Sequence, residues 1–118
     1  MSAKITEAAD GIITLKITGL ISPSILAACQ AQILVYLHEW GGGSILCICE
    51  GFEGWTGGDW GDLSFQVEAD PLIRKMAIIG ESQWEQLALA FTAKGFRPFP
   101  IGYFQTDRLV DARDWLLG

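Results

Sequence analysis

Three observations in the sequence predict an α/β fold: a five-stranded mixed, mostly parallel sheet flanked by about four helices. Short apolar runs alternate with longer segments whose apolar residues recur every three or four positions. A turn dipeptide, Asp10-Gly11, separates the first two runs and marks an N-terminal hairpin. The chain has 118 residues, 50% hydrophobic and 19% charged, which fits one domain over residues 1–118 with an ordinary core. The resulting order is β-β-α-β-α-β-α-β-α. The hairpin adds one antiparallel strand to a sheet whose crossovers are right-handed.

Each element has a local reason. Lys4 to Ala8 reads weakly as a strand, and Ile12, Ile13, Leu15 and Ile17 make its return partner, closed by Gly19. Ser22 is an N-cap with Pro23 at the first helical position. The helix runs to about His38, with Leu26, Cys29, Ile33, Tyr36, Leu37 and Trp40 on one face, and Gly41-Gly42-Gly43 ends it. That glycine triplet follows a helix and precedes a strand, the reverse of a phosphate-binding turn. Ser44 to Glu50 is apolar on both faces, as a covered central strand should be. Asp59 caps a short helix to about Glu68, and Asp70-Pro71 breaks it. Lys75 to Gly80 is the fourth strand. Ser82-Gln83-Trp84-Glu85 is a capping box, and Trp84, Leu87, Ala88 and Phe91 line the helix it opens, which Gly95 stops. Pro98 and Pro100 bracket Phe99, suiting a sheet edge or the entry of the fifth strand, Ile101 to Phe104. Thr106 or Asp107 caps the last helix, with Leu109, Ala112 and Leu116 facing inward beside Trp115.

Composition excludes several functions. A net charge of −6 argues against nucleic acid and against an anionic membrane surface as the main partner. No apolar run approaches the ~20 residues needed to cross a bilayer, so stable membrane insertion is not expected. The polar start, Met1 to Glu7, carries no signal-peptide core, and the cytoplasm is the expected compartment. The three cysteines include Cys47 and Cys49, which share a face of one strand and read as buried reduced thiols, while Cys29 reads as helix core. A metal site would need a second ligand pair, so neither metal nor cofactor is expected.

The most informative stretch is Gly51 to Asp62, directly beyond the central strand, where functional loops of α/β sheets lie. Its glycines give backbone freedom and Phe52, Trp55 and Trp60 give it apolar bulk. Two readings are open. The aromatics form a mobile lid or contact surface, with Phe52, Trp55, Thr56, Asp59 and Trp60 as the ligand- or partner-contacting residues. Alternatively the rings tuck back onto the sheet and cover its end. Glu50, Glu53, Asp59 and Asp62 are candidate acid–base groups, but no nucleophile or fixed partner accompanies them. Asp59 and Asp62 also suit a helix N-terminus. His38 suits the end of its helix as a surface residue, and no serine or cysteine sits in a nucleophile elbow. Arg74 and Lys75 read as a solvated charge pair or as holders of an anion.

Phe52, Gly54 and Trp55 after the third strand resemble the SpoIIAA-like family of small bacterial proteins. So do Trp60, Asp62, Trp84, Ala112, Trp115 and Leu116, and the resemblance covers nearly the whole chain. It implies a fold related to anti-sigma-factor antagonist (STAS) domains and to lipid-carrying CRAL-TRIO domains, without an assigned enzymatic activity. The antagonists carry a phosphorylated serine in an Asp-Ser-Ser/Thr-Gly motif. Here Gly57, Gly58, Asp59 and Trp60 stand in the comparable region and the nearest hydroxyl is Thr56.

The expectation is a non-catalytic binding or regulatory module, contacting a partner protein or a small apolar or amphipathic ligand through Gly51–Asp62. The alternatives are a phosphorylation-switched antagonist acting through Thr56 or Ser64, with Glu53, Asp59 and Asp62 opposing a phosphate, and a hydrolytic enzyme using loop carboxylates. An unpaired sheet edge leaves a homodimer open.

Overall fold

Asp10 and Gly11 turn the chain with φ of 58° and 74°, the two positive values that a tight hairpin with matching twist requires. They join β1 (Ser2–Ala9) to β2 (Ile12–Ile21) as an antiparallel pair. The structure, a computed structural model, describes residues 2–118. β3 (Gly43–Trp55), β4 (Ile73–Ile79) and β5 (Ile101–Phe104) follow in parallel, and the sheet order is β1-β2-β3-β4-β5.

That sequential order decides where the helices go. Strands β2 to β5 are added in one direction, so right-handed crossovers place every connecting helix on one face. α1 (Pro23–Trp40), α2 (Ser64–Ala69) and α3 (Glu85–Phe91) accordingly pack with Ile13, Leu15, Ile45 and Ile78. The opposite face, with Ile12, Leu46, Ala77 and Ile79, is covered by α4 (Leu109–Leu117) through Ala112 and Leu116. The expected four helices therefore divide three to one.

α1 follows its sequence signals. The Ser22 hydroxyl accepts the Ile25 N–H at 3.3 Å, and Cys29, Ile33 and Leu37 are buried. Gly41 N–H reaches the His38 carbonyl and Gly42 N–H the Leu37 carbonyl, the paired bonds of a Schellman stop.

Five expectations need correction. β3 does not end at Glu50 but continues through Gly51–Trp55, so half of the supposed loop is strand. Gly19, Gly51 and Gly54 (φ 70°, 61° and 106°) absorb register shifts that keep β2 and β3 paired, and Thr56 N–H still donates to the Ile21 carbonyl at 2.8 Å. The glycines here shape bulges in a paired strand. Next, α2 starts at Ser64, so Asp59 caps no helix. Asp59 instead accepts the Gly61 N–H at 2.8 Å, and Asp62 the Ser64 N–H at 3.0 Å. The capping box at Ser82 does not form. Trp84 is drawn against Phe52 and Trp55, and Ser82–Trp84 becomes a single tight 3₁₀ turn before α3. This offset leaves Leu87 exposed and packs Leu89 inward. α3 also stops before Gly95. Ala93 takes the left-handed stop (φ 58°), and Lys94 N–H bonds the Leu89 carbonyl. Finally, neither Thr106 nor Asp107 caps α4, and Leu109 lies partly in solvent.

Candidate ligand-binding site

The three helices over the sheet do not fill the space above it. α2 and α3 have six and seven residues, and the central strand presents only cysteines at positions 47 and 49. A cavity of about 980 Å³ remains between the sheet and α1, α2 and α3. Close-packed interiors rarely leave voids much larger than a water molecule, whereas ligand pockets run roughly 300–1,000 Å³. The floor is Leu15, Ile17, Ile45 and Ile78 with Cys47 and Cys49.

Five aromatic rings gather at the end of the cavity formed by the carboxyl end of β3. The Phe52 ring lies 5.0 Å from Trp55 and 5.1 Å from Trp84, both edge-on. Phe91 lies 5.1 Å from Trp55 and 5.2 Å from Trp60. Gly54 makes this packing possible, since a Cβ there would stand 3.3 Å from Trp84 Cη2. Trp84 Nε1 is buried without a hydrogen-bond partner among the described residues. Trp60 Nε1 donates to the Thr56 carbonyl at 2.9 Å and so pins the 56–63 loop back across its own start.

Of the five expected contact residues, Phe52, Trp55, Asp59 and Trp60 line the cavity. Thr56 does not. Its hydroxyl donates to the Gly57 carbonyl, and its carbonyl holds Trp60. Phe52 is buried, while Trp55 and Trp60 are half-buried at the cavity wall. Sequence reasoning placed Trp84 and Phe91 only on a helix face, and it read Cys47 and Cys49 as packed core. The signal available for the thiols was that two small residues occupy the centre of one sheet face.

The polar groups around the cavity are mostly committed. Arg97 donates to Asp70 through Nε (2.8 Å) and Nη2 (2.6 Å), and through Nη1 to the Thr92 carbonyl, with its guanidinium 4.9 Å from the Phe99 ring centre. Tyr103 donates to the Glu81 carbonyl at 2.6 Å. Burial, followed by the nearby Cys49 and Glu85, pushes its phenol up to about 12. The neighbouring Cys49, with burial, drives the Cys47 thiol well up, and the neighbouring Cys47 draws Cys49 down.

The candidate acid–base groups are not assembled. Glu50 pairs with Lys16 at 3.0 Å, and Glu53 lies exposed. Asp62 is held below its ordinary range chiefly by the Ser64 backbone N–H. His38 meets Glu68 at 2.7 Å on the surface. Lys75 donates to the Trp115 carbonyl, where a cation suits the end of α4, and lies over the Trp115 ring. Thr56 stands eight residues ahead of α2, and its N–H donates to the Ile21 carbonyl just before α1. Ser64 is the first residue of α2. Among the described residues no group of three or more His, Cys, Asp or Glu is placed to hold a metal, and no helix is long and apolar enough to cross a membrane.

A family model described as SpoIIAA-like matches residues 12–117. Among solved structures the chain is similar to an uncharacterised DUF3478-family protein with a SpoIIAA-like fold from Shewanella loihica PV-4. The two are 23% identical with a TM-score of 0.66, over 98% of this chain and 92% of that one. At that identity the likeness shows the fold alone. No protein with a curated description matches.

Proposed function

The chain belongs to the SpoIIAA-like family, and on that premise we propose that it is a non-catalytic binding module that encloses a small apolar or amphipathic ligand. The observation that carries this reading is the cavity of about 980 Å³ under the Phe52–Trp55–Trp84 cluster. Its walls are mostly apolar side chains, and Arg97, Tyr103 and Asp59 at its edge are hydrogen-bonded within the chain. It therefore rewards transfer of apolar surface out of water, at roughly 25 cal/mol per Å², and offers few groups to recognise a strongly polar molecule. A ligand of roughly 25 non-hydrogen atoms, at ~0.3 kcal/mol per atom, reaches about −7.5 kcal/mol. That corresponds to a Kd in the low micromolar range.

Residues 56–63 are the part that moves to admit it. They contain no regular secondary structure, and Trp60 holds them to the Thr56 carbonyl and to Phe91. Phenylnaphthylamine, an uncharged probe that brightens in apolar surroundings, tests the reading. Saturable binding of one probe per chain supports it, as does a faster exchange in Trp60→Ala. A wild-type protein that gives no saturable signal overturns it.

A further inference from the structure

Cys47 and Cys49 lie on the cavity floor, on β3, the middle strand of the sheet. Such positions in a parallel sheet ordinarily carry large aliphatic side chains. Here both thiols are half-buried, and the surface they retain belongs to residues lining the cavity, whereas Cys29, under α1, is 2% exposed. The two side chains are neighbours on that one face of β3. Gly80 lets the Tyr103 hydroxyl lie close beside Cys49, because a Cβ there would stand 2.5 Å from that hydroxyl oxygen and 3.6 Å from Cys49 Cβ. A molecule small and apolar enough to enter the cavity meets sulfur at its floor.

We propose that the cavity captures small apolar soft electrophiles covalently, with α,β-unsaturated carbonyl compounds as the chemical class, Cys49 Sγ as the nucleophile and Cys47 as its positioning residue. The inference rests on the ligand-binding reading above and names the chemistry of the ligand. In the reaction Cys49 Sγ forms a bond to the β-carbon of the electrophile. The carbon–carbon π pair moves to the α-carbon, which takes up the proton that the thiol gives up. Atoms and electrons balance without an oxidant, reductant or second substrate. Of the two sulfurs Cys49 stands nearer the carboxyl end of β3 and residues 56–63, where the ligand enters, and the neighbouring Cys47 draws the Cys49 thiol down. The apolar walls select the electrophile. An uncharged molecule concentrates there, and an anionic one is held out by the desolvation of its charge and by a protein of net charge −6.

The test compares N-phenylmaleimide with its para-carboxylate analogue, the same reacting group with and without a charge, on the folded wild-type chain. Rates are read by intact mass, sites by peptide mapping, and both rates are divided by those with free glutathione. The expected result is one adduct, on Cys49, forming on the order of tenfold or more faster with the uncharged reagent. Saturating phenylnaphthylamine should block it. Cys49→Ala and Cys49→Ser should remove it, and Cys47→Ala should slow it. No adduct on the folded chain overturns the proposal, as do an adduct on Cys47 or Cys29 instead, or equal corrected rates for the two reagents. An unchanged rate in Cys47→Ala removes the positioning role. Phenylnaphthylamine binding to the wild type separates the two readings. If the wild type binds the probe but is not labelled, only covalent capture falls; if it binds no probe, both fall.

Discussion

Replacing Cys47 by leucine distinguishes a hollow from a packed core by the sign of one free energy. Cys47 sits mid-strand in β3 with its side chain on the cavity floor. Leucine adds about two carbon groups. At ~0.8 kcal/mol per buried CH₂, placing them in open space stabilises the fold by about 1.5 kcal/mol. In a filled core the same change overpacks and costs about 1–3 kcal/mol. Ala77→Leu is the internal control. Ala77 lies in the adjacent strand, is 0% exposed, and packs with Leu46, Ala112 and Leu116 on the α4 face, away from this cavity. Urea unfolding at neutral pH reads both variants, with the slope of the transition checked for constancy. The account expects Cys47→Leu to raise the midpoint and weaken phenylnaphthylamine binding, and Ala77→Leu to lower the midpoint. If Cys47→Leu loses 1 kcal/mol or more at an unchanged slope, the space above the sheet is filled and the reasoning fails.

Other outcomes follow from single residues. Asp70→Ala strips the partner from the Arg97 guanidinium, whose side chain is 7% exposed, and should cost about 3 kcal/mol or more; Arg97→Met in the same chain should recover much of that in a double-mutant cycle. Thr14→Val removes a buried hydroxyl that has no partner among the described residues, and the denaturation midpoint should rise by the equivalent of about 1 kcal/mol. Tyr103 has a folded-state pKa of about 12 against an ordinary 10, so the unfolded chain loses that proton first. Its contribution is therefore complete below pH 10 and lost between pH 10 and 12. The wild type should lose stability between pH 9 and 11 more steeply than Tyr103→Phe, as urea midpoints at the two values will show.

What the sequence made legible was local punctuation. Asp10-Gly11, Ser22-Pro23 and Gly41 each impose a backbone geometry within a few residues, and each stands in the structure where its chemistry put it. Non-local effects hid the rest. Gly51 and Gly54 read as loop residues because the strand they extend is held by bulged pairing with Gly19 of β2, more than thirty residues away. Ser82 reads as a cap until Trp84 finds Phe52 and Trp55 across the fold. The cavity is the hardest case. It arises from the spacing of α1, α2 and α3, all brought to one face by the sheet order, and no local residue pattern encodes empty space. Phe52, Trp55, Asp59 and Trp60 were legible as its wall because glycine-flanked indoles beyond a central strand are unusual. Cys47 and Cys49 were not, since a small residue against a cavity and a small residue against a neighbour look alike in one dimension.

Isoleucine methyl resonances offer the most direct measurement, because the chain carries its own control. Ile17, Ile21, Ile33, Ile45 and Ile78 line the cavity, while Ile12, Ile48 and Ile79 face α4 on the other side of the same sheet. Titration with phenylnaphthylamine should shift the first set to saturation at one equivalent and leave the second in place. Methyls that stay still throughout, or shifts spread evenly over both faces, would contradict the account.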